Sequence, residues 1–172
     1  MPLVEQFQFG LDAPICLTWE LTYACNLACR HCLSSSGRRD PRELSTAECQ
    51  AVIDELERMQ VFYVNIGGGE PTVRPDFWAL VDYATAHHVG VKFSTNGVKI
   101  TPDVARRLVA SDYVDVQISL DGATAEVNDA VRGQQFQRVH NAGCACVAES
   151  RGFHGRHLPQ PDSSTFFGIR RR

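Results

Sequence analysis

The chain has 172 residues, enough for one domain with its own core, and 44% hydrophobic with 22% charged residues is ordinary for a soluble globular protein. A net charge of -3 gives no electrostatic reason to expect nucleic acid or an anionic membrane, and no apolar run approaches the ~20 residues of a spanning helix. Residues 1–11 have neither a basic start nor a long apolar run, and seven cysteines, an odd number, cluster wrongly for a secreted disulfide framework, so a reduced cytoplasmic protein without a signal peptide is expected.

Residues 15–21, partly β-branched and aromatic, predict a buried strand. Cys16 within it, and Cys49 further on, are expected to pack as small buried hydrophobes. Cys25, Cys29 and Cys32 follow the strand directly. Residues 34–41 are a polar connector rich in breakers. Ser45 and Glu48 form a capping box that opens a helix running to Met59, with Cys49, Val52, Ile53, Leu56 and Met59 at helical spacing. Residues 61–66 predict a second strand, broken by Gly67, Gly68, Gly69, Glu70 and Pro71. Pro75 suits the first turn of a second helix, which Gly90 ends. Residues 91–94 predict a third strand, and Thr95, Asn96 and Gly97 have turn chemistry. Thr101 and Pro102 open a third helix to Ala110. Residues 114–120 predict a fourth strand, followed by Asp121 and Gly122, and residues 123–131 a fourth helix.

This order, β-α-β-α-β-α-β with short connections, predicts a parallel sheet with right-handed crossovers. The fold class expected is α/β: a partial (β/α) barrel of about four β/α units. Each unusual cluster of residues lies just after a strand, and in such a barrel those loops gather at one rim, where active sites sit. From Gln134 to Arg172 the periodicity fades and the chain ends in three arginines. A boundary is therefore expected at 133/134, with 134–172 an unpatterned tail that is disordered or arises from a lost reading frame. Cys144 and Cys146 in that tail read as incidental.

Three cysteines within eight residues are soft ligands in one short loop, which points to iron–sulfur or zinc. Structural zinc usually takes four protein ligands, often as two pairs, and there is no second pair near this loop. Three cysteines can hold three corners of a [4Fe–4S] cube and leave the fourth iron open for a substrate or cofactor. A glycine triplet after a strand reads either as a tight turn or as a place where backbone approaches a ligand. Ser119 and Asp121 suit a turn and a helix cap, Ser94 and Asn96 suit turn chemistry, and Arg132 is either a carboxylate partner or a solvated helix end.

Cys25-x-x-x-Cys29-x-His31-Cys32, with Gly68-Gly69-Glu70-Pro71 and Ser119-Leu120-Asp121-Gly122, resembles the radical S-adenosylmethionine (SAM) enzymes. The context of residues 18–27 resembles their peptide-modifying branch, which carries a C-terminal SPASM-type domain; the likeness is to the mycofactocin maturases, with pyrroloquinoline quinone synthesis protein E as a relative. It covers residues 15–133. The resemblance implies that Cys25, Cys29 and Cys32 ligate three irons of a [4Fe–4S] cluster and that SAM chelates the fourth. It implies that His31 lies near the adenine, that Gly68, Gly69 and Glu70 approach the SAM ammonium, and that Ser119 and Asp121 face its ribose and carboxylate. His31 as a zinc ligand is the alternative role. The implied reaction is reductive cleavage of SAM to a 5′-deoxyadenosyl radical, then oxidative decarboxylation and crosslinking of the C-terminal Val-Tyr of a ribosomal precursor peptide. The implied partners are that peptide, a small protein that grips its leader, and an electron donor. The last barrel strands and the SPASM-type domain of the family have no counterpart here, so turnover is expected to need them. The alternative function is a non-catalytic metal-binding or precursor-binding module.

Overall fold

The computed structural model describes residues 14–133 and, as backbone, residues 165–169. The expected tail otherwise lies outside the described residues. Five strands form one sheet in the order β1-β2-β3-β4-β5. They are β1 Cys16–Thr22, β2 Tyr63–Gly68, β3 Gly90–Thr95, β4 Val114–Leu120 and β5 Thr165–Ile169. The first four pair in parallel, as the β-α repeat predicts. Helices α1 (Thr46–Arg58), α2 (Phe77–Ala86) and α3 (Pro102–Ala110) connect them, and α4 (Ala125–Arg132) follows β4. This is the expected partial (β/α) barrel.

The helix starts follow from local chemistry. Ser45 caps α1 with both bonds of a capping box, the Ser45 hydroxyl accepting from the Glu48 N–H and the Glu48 carboxylate accepting from the Ser45 N–H. Thr101 and Thr124 cap α3 and α4 by accepting from Val104 N and Val127 N. The sequence places α2 two residues early, at Pro75. A 3-10 turn, Pro71–Val73, intervenes, and α2 begins at Phe77 after Asp76.

The sheet has two unlike faces. Val64, Ile66, Val91, Phe93, Val116 and Ile118 point at the helices and pack with Ile53 and Leu56 of α1, Phe77, Leu80 and Val81 of α2, and Ala105 and Leu108 of α3. Phe77 stands edge-on to Phe93 at a centroid distance of 5.1 Å. The opposite face carries polar side chains in register, Thr18 beside Asn65, Asn65 beside Lys92 and Lys92 beside Asp115.

Three expectations are corrected. β1 is not a buried strand: its first half is exposed, because it is an edge of the sheet and pairs only with β2 among the described residues. Cys16 is accordingly exposed, whereas Cys49 is fully buried as expected. β2 runs on to Gly68 instead of breaking at Gly67, because Gly67 and Gly68 still pair with Glu20 and Thr22. A strand is also present where the tail reading has none: β5 pairs antiparallel with β4, Phe167 opposite Ile118. Its residues, Thr-Phe-Phe-Gly-Ile, are a short run of β-favouring type.

Candidate cofactor site at the strand ends

The loop from Tyr23 to Gly37 carries the three clustered cysteines. It is closed by backbone bonds, Gly37 N–H to Tyr23 O at 2.9 Å and Cys25 N–H to Gly37 O at 3.1 Å. Each of the next three strand ends then grips it. At β2, the Ser34 hydroxyl donates to Gly68 O at 2.7 Å, and the Gly69 and Glu70 N–H groups donate to Thr22 O and Ala24 O at 2.6 and 2.8 Å. At β3, the Asn96 amide donates to Asn26 Oδ1 at 2.8 Å. At β4, His31 Nε2 lies 3.3 Å from Asp121 Oδ2 and the Arg30 N–H donates to Val131 O of α4 at 3.1 Å. The four loops do meet at one rim, as the topology predicts.

Glycine at positions 68 and 69 has a reason visible within the chain. A Cβ on Gly69 would lie 2.2 Å from Ala24 O, and one on Gly68 would lie 2.6 Å from Thr22 O, with φ at +98°. The glycines thus let the β2 end lie against the start of the cysteine loop. Gly67 has open space around its Cβ direction.

Glu70 is 1% exposed, and its carboxylate accepts from Thr72 N–H at 3.2 Å, Thr72 Oγ1 at 2.5 Å, Thr95 Oγ1 at 2.8 Å and Asn96 N–H at 2.6 Å. It therefore fastens the β2 end to the β3 end. A buried carboxylate survives only with such partners. Ser94 and Ser119 are half-buried at the ends of β3 and β4, on the face away from the helices. Asp121 is nearly buried and pairs with Arg132, so Arg132 is a carboxylate partner and not a solvated helix end.

The thiols differ in their electrostatic surroundings. Burial pushes the Cys25 thiol up, against an N–H bond from Leu27 at 3.4 Å. Burial also raises Cys29, and the Arg132 guanidinium opposes this. Burial pushes Cys32 up as well, but bonds from the Ser36 N–H at 3.3 Å and from the Ser34 and Ser36 hydroxyls outweigh it, and Cys32 lies below the usual thiol range. The thiols sense one another's charge. Among the described residues, no three His, Cys, Asp or Glu side chains converge as ligands of a single metal ion would. Thiolates on a cluster bind separate irons and stand further apart. The donor set, three half-buried sulfurs on a clamped loop, fits a cluster, and the thiolate form is the one that ligates.

The family model of the radical SAM superfamily matches residues 19–143. The chain belongs to that superfamily. The cofactors of the radical SAM family are a [4Fe–4S] cluster and SAM, and the cysteine loop lies within the matched residues. The chain is 86% identical over 168 residues to the mycofactocin maturase MftC of Mycobacterium tuberculosis, a match covering 93% of this chain and 43% of that one. Both matches run past residue 133, where composition suggests a boundary. The chain spans less than half the length of the curated relative it matches. In fold it is similar to SuiB of Streptococcus suis bound to S-adenosylmethionine, with a TM-score of 0.66 and 21% identity over 78% of this chain and 32% of that one. The same protein bound to its precursor peptide SuiA gives a TM-score of 0.64 at 21% identity, covering 83% and 33%.

Several residues that build this rim were not singled out by sequence reasoning. Asn26 and Ser34 act across distances that only the fold creates, and Thr95, read only as turn chemistry, bonds Glu70. Asn128 is fully buried and accepts from the Asp121 N–H at 3.1 Å. Its burial on α4 is set by the packing of that helix, and no local signal marks it.

Proposed function

We propose that the chain is the cofactor-bearing part of a radical SAM peptide-modifying enzyme, and that Cys25, Cys29 and Cys32 hold its [4Fe–4S] cluster. The observation that carries this is the cysteine loop clamped by all three following strand ends. When bound, the reduced cluster supplies an electron that cleaves SAM to methionine and a 5′-deoxyadenosyl radical able to take hydrogen from a substrate C–H bond.

The chain's own residues hold and shape the site. Gly68, Gly69 and Glu70 form a rigid ledge beside the cysteine loop, fixed by bonds to Ser34, Thr22 and Ala24 and by the Glu70 carboxylate's bonds to Thr95 and Asn96. Ser119 stands across the rim at the end of β4, and His31 rises half-exposed between the cysteine loop and Asp121. These positions suit the amino acid and nucleoside ends of SAM. The polar row of Thr18, Asn65, Lys92 and Asp115 lies on the open face of the sheet, beneath that rim.

The likeness to the mycofactocin maturase supports a peptide-modifying role, and the reading extends to a ribosomal precursor peptide whose C-terminal Val-Tyr is oxidatively decarboxylated and crosslinked. A small leader-binding protein and an electron donor are the partners this reading requires, and the free thiols suit a reduced cytoplasm. No helix among the described residues is long and apolar enough to cross a membrane.

The test is anaerobic reconstitution of the chain with iron and sulfide, followed by reduction and electron paramagnetic resonance with and without SAM. A [4Fe–4S]⁺ signal that changes on adding SAM is expected. Zinc in place of iron and sulfide, or a cluster indifferent to SAM, would replace this reading with a non-catalytic binding module.

A further inference from the structure

The Asp121 carboxylate lies between the cysteine loop and α4. Its side chain is 8% exposed and that of its partner Arg132 is 12% exposed, so the pair is largely shielded from water. Arg132 Nε donates to Oδ2, and His31 Nε2 lies 3.3 Å from the same oxygen. The geometry around Asp121 is over-determined. Its N–H is held by Asn128 Oδ1 at 3.1 Å, and Gly122 lets α4 approach, since a Cβ there would lie 2.7 Å from Asn128 N. One residue before Arg132, Val131 O accepts from the Arg30 N–H at 3.1 Å. Arg30 and His31 are the two residues between Cys29 and Cys32. That half of the cysteine loop therefore rests on β4 and α4, while the Cys25 half rests on β3 through Asn26 and Asn96.

We propose that Asp121 and Arg132 are positioning residues: their ion pair presents a carboxylate oxygen to His31 and holds the Cys29–Cys32 half of the loop at the spacing a cluster needs. This rests on the reading of Cys25, Cys29 and Cys32 as cluster ligands. In this role Asp121 acts through the loop. Partners one step removed from metal ligands, when lost, weaken metal retention by about 10- to 100-fold.

The test uses the full chain as wild type, Asp121→Asn and Arg132→Lys. Three quantities are read: iron release to a chelator, amide hydrogen exchange, and the SAM-induced change in the cluster signal. Asp121→Asn should speed iron release by about ten-fold or more. It should raise exchange at the Arg30 amide while leaving the β2 and β3 amides as in wild type, and the remaining cluster should still respond to SAM. Arg132→Lys keeps the charge but loses the planar fork, and should fall between. Wild-type iron release together with a lost SAM response would overturn the proposal and make Asp121 a SAM ligand. Faster exchange throughout the sheet would also overturn it, because the pair would then serve the fold as a whole. Should wild type take up no iron and sulfide, the proposed function fails instead, and exchange at Arg30 in the metal-free chain still decides whether the pair docks the loop.

Discussion

Several buried side chains at the carboxyl ends of the strands are polar, and several exposed side chains at the amino ends are apolar. Thr22, Glu70, Thr95 and Asn96 are all buried at the carboxyl ends. Ile15, Phe62 and Tyr113, just before β1, β2 and β4, are half or more exposed. Backbone bonds join the amino ends, Phe62 N–H to Ile15 O at 3.1 Å and Val91 N–H to Tyr113 O at 2.8 Å. At the carboxyl ends side chains add to the backbone joins, with Ser34 on Gly68, Asn96 on Asn26 and Glu70 on Thr95. Burying polar groups is unfavourable unless each finds a partner, and here other loops supply some of them, Glu43 for Thr22 and Thr95 and Asn96 for Glu70. The carboxyl end is therefore one interlocked unit around the cysteines, and the amino ends are joined through their backbone.

The core beneath the rim is the most sensitive to substitution. Phe77→Ala should lower unfolding free energy by about 3–5 kcal/mol, since the side chain is wholly buried against Phe93. Urea unfolding measures it, and iron and sulfide uptake below the transition should stay near wild type. Glu70→Ala comes next. It leaves the hydroxyls of Thr72 and Thr95 and the Asn96 N–H without their acceptor, for a loss of roughly 3 kcal/mol. Unlike the core variant, it should also impair cluster uptake, because the β2 and β3 ends that grip the loop come apart. Equal uptake in both variants would show that the rim is not one unit.

A smaller effect depends on pH. Arg74 donates to Asp76 at 2.7 Å and holds its carboxyl at about 2. A depressed carboxyl stabilises the folded chain above its ordinary value near ~4, and that contribution is lost as pH falls from ~4 to ~2. Asp76→Asn should therefore be less stable than wild type by about 2 kcal/mol at pH 7, with the gap closing by about pH 2. Parallel unfolding curves with a constant gap across that range would contradict the assignment. The smallest effect lies at the amino ends. Phe62→Ser should change stability by no more than about 0.5 kcal/mol, since the ring is mostly exposed. A larger loss on urea unfolding would mean that this end is also interlocked.

The elements were legible because local rules decide them. The capping box at Ser45 and Glu48 and the Thr101-Pro102 start both appear where the sequence puts them. β4 also has its expected bounds, its alternating residues dividing between the helix side and the open side. The misreadings concern neighbours. Cys16 and the first half of β1 look apolar enough to be buried, but burial requires a covering element, and an edge strand lacks one. Gly67 looks like a break, but pairing with β1 continues through Gly67 and Gly68, across a shift of register between Glu20 and Thr22.

The same division holds for the site. By itself the amino-acid sequence determined that three cysteines share one loop, that this loop follows a strand, and that three further polar clusters follow three further strands. Those facts are local in the chain, and the β-α repeat places their loops at one rim. Only the tertiary structure decided that Glu70 spends its carboxylate on Thr95 and Asn96, that Gly68 and Gly69 are small to admit the chain's own backbone, and that Asp121 pairs with Arg132 beside His31. Hydrogen bonds reach about 3 Å, and the residues they join here stand 11 to 26 positions apart, so the partner of each group is set by the packing of the strand ends and not by spacing along the chain.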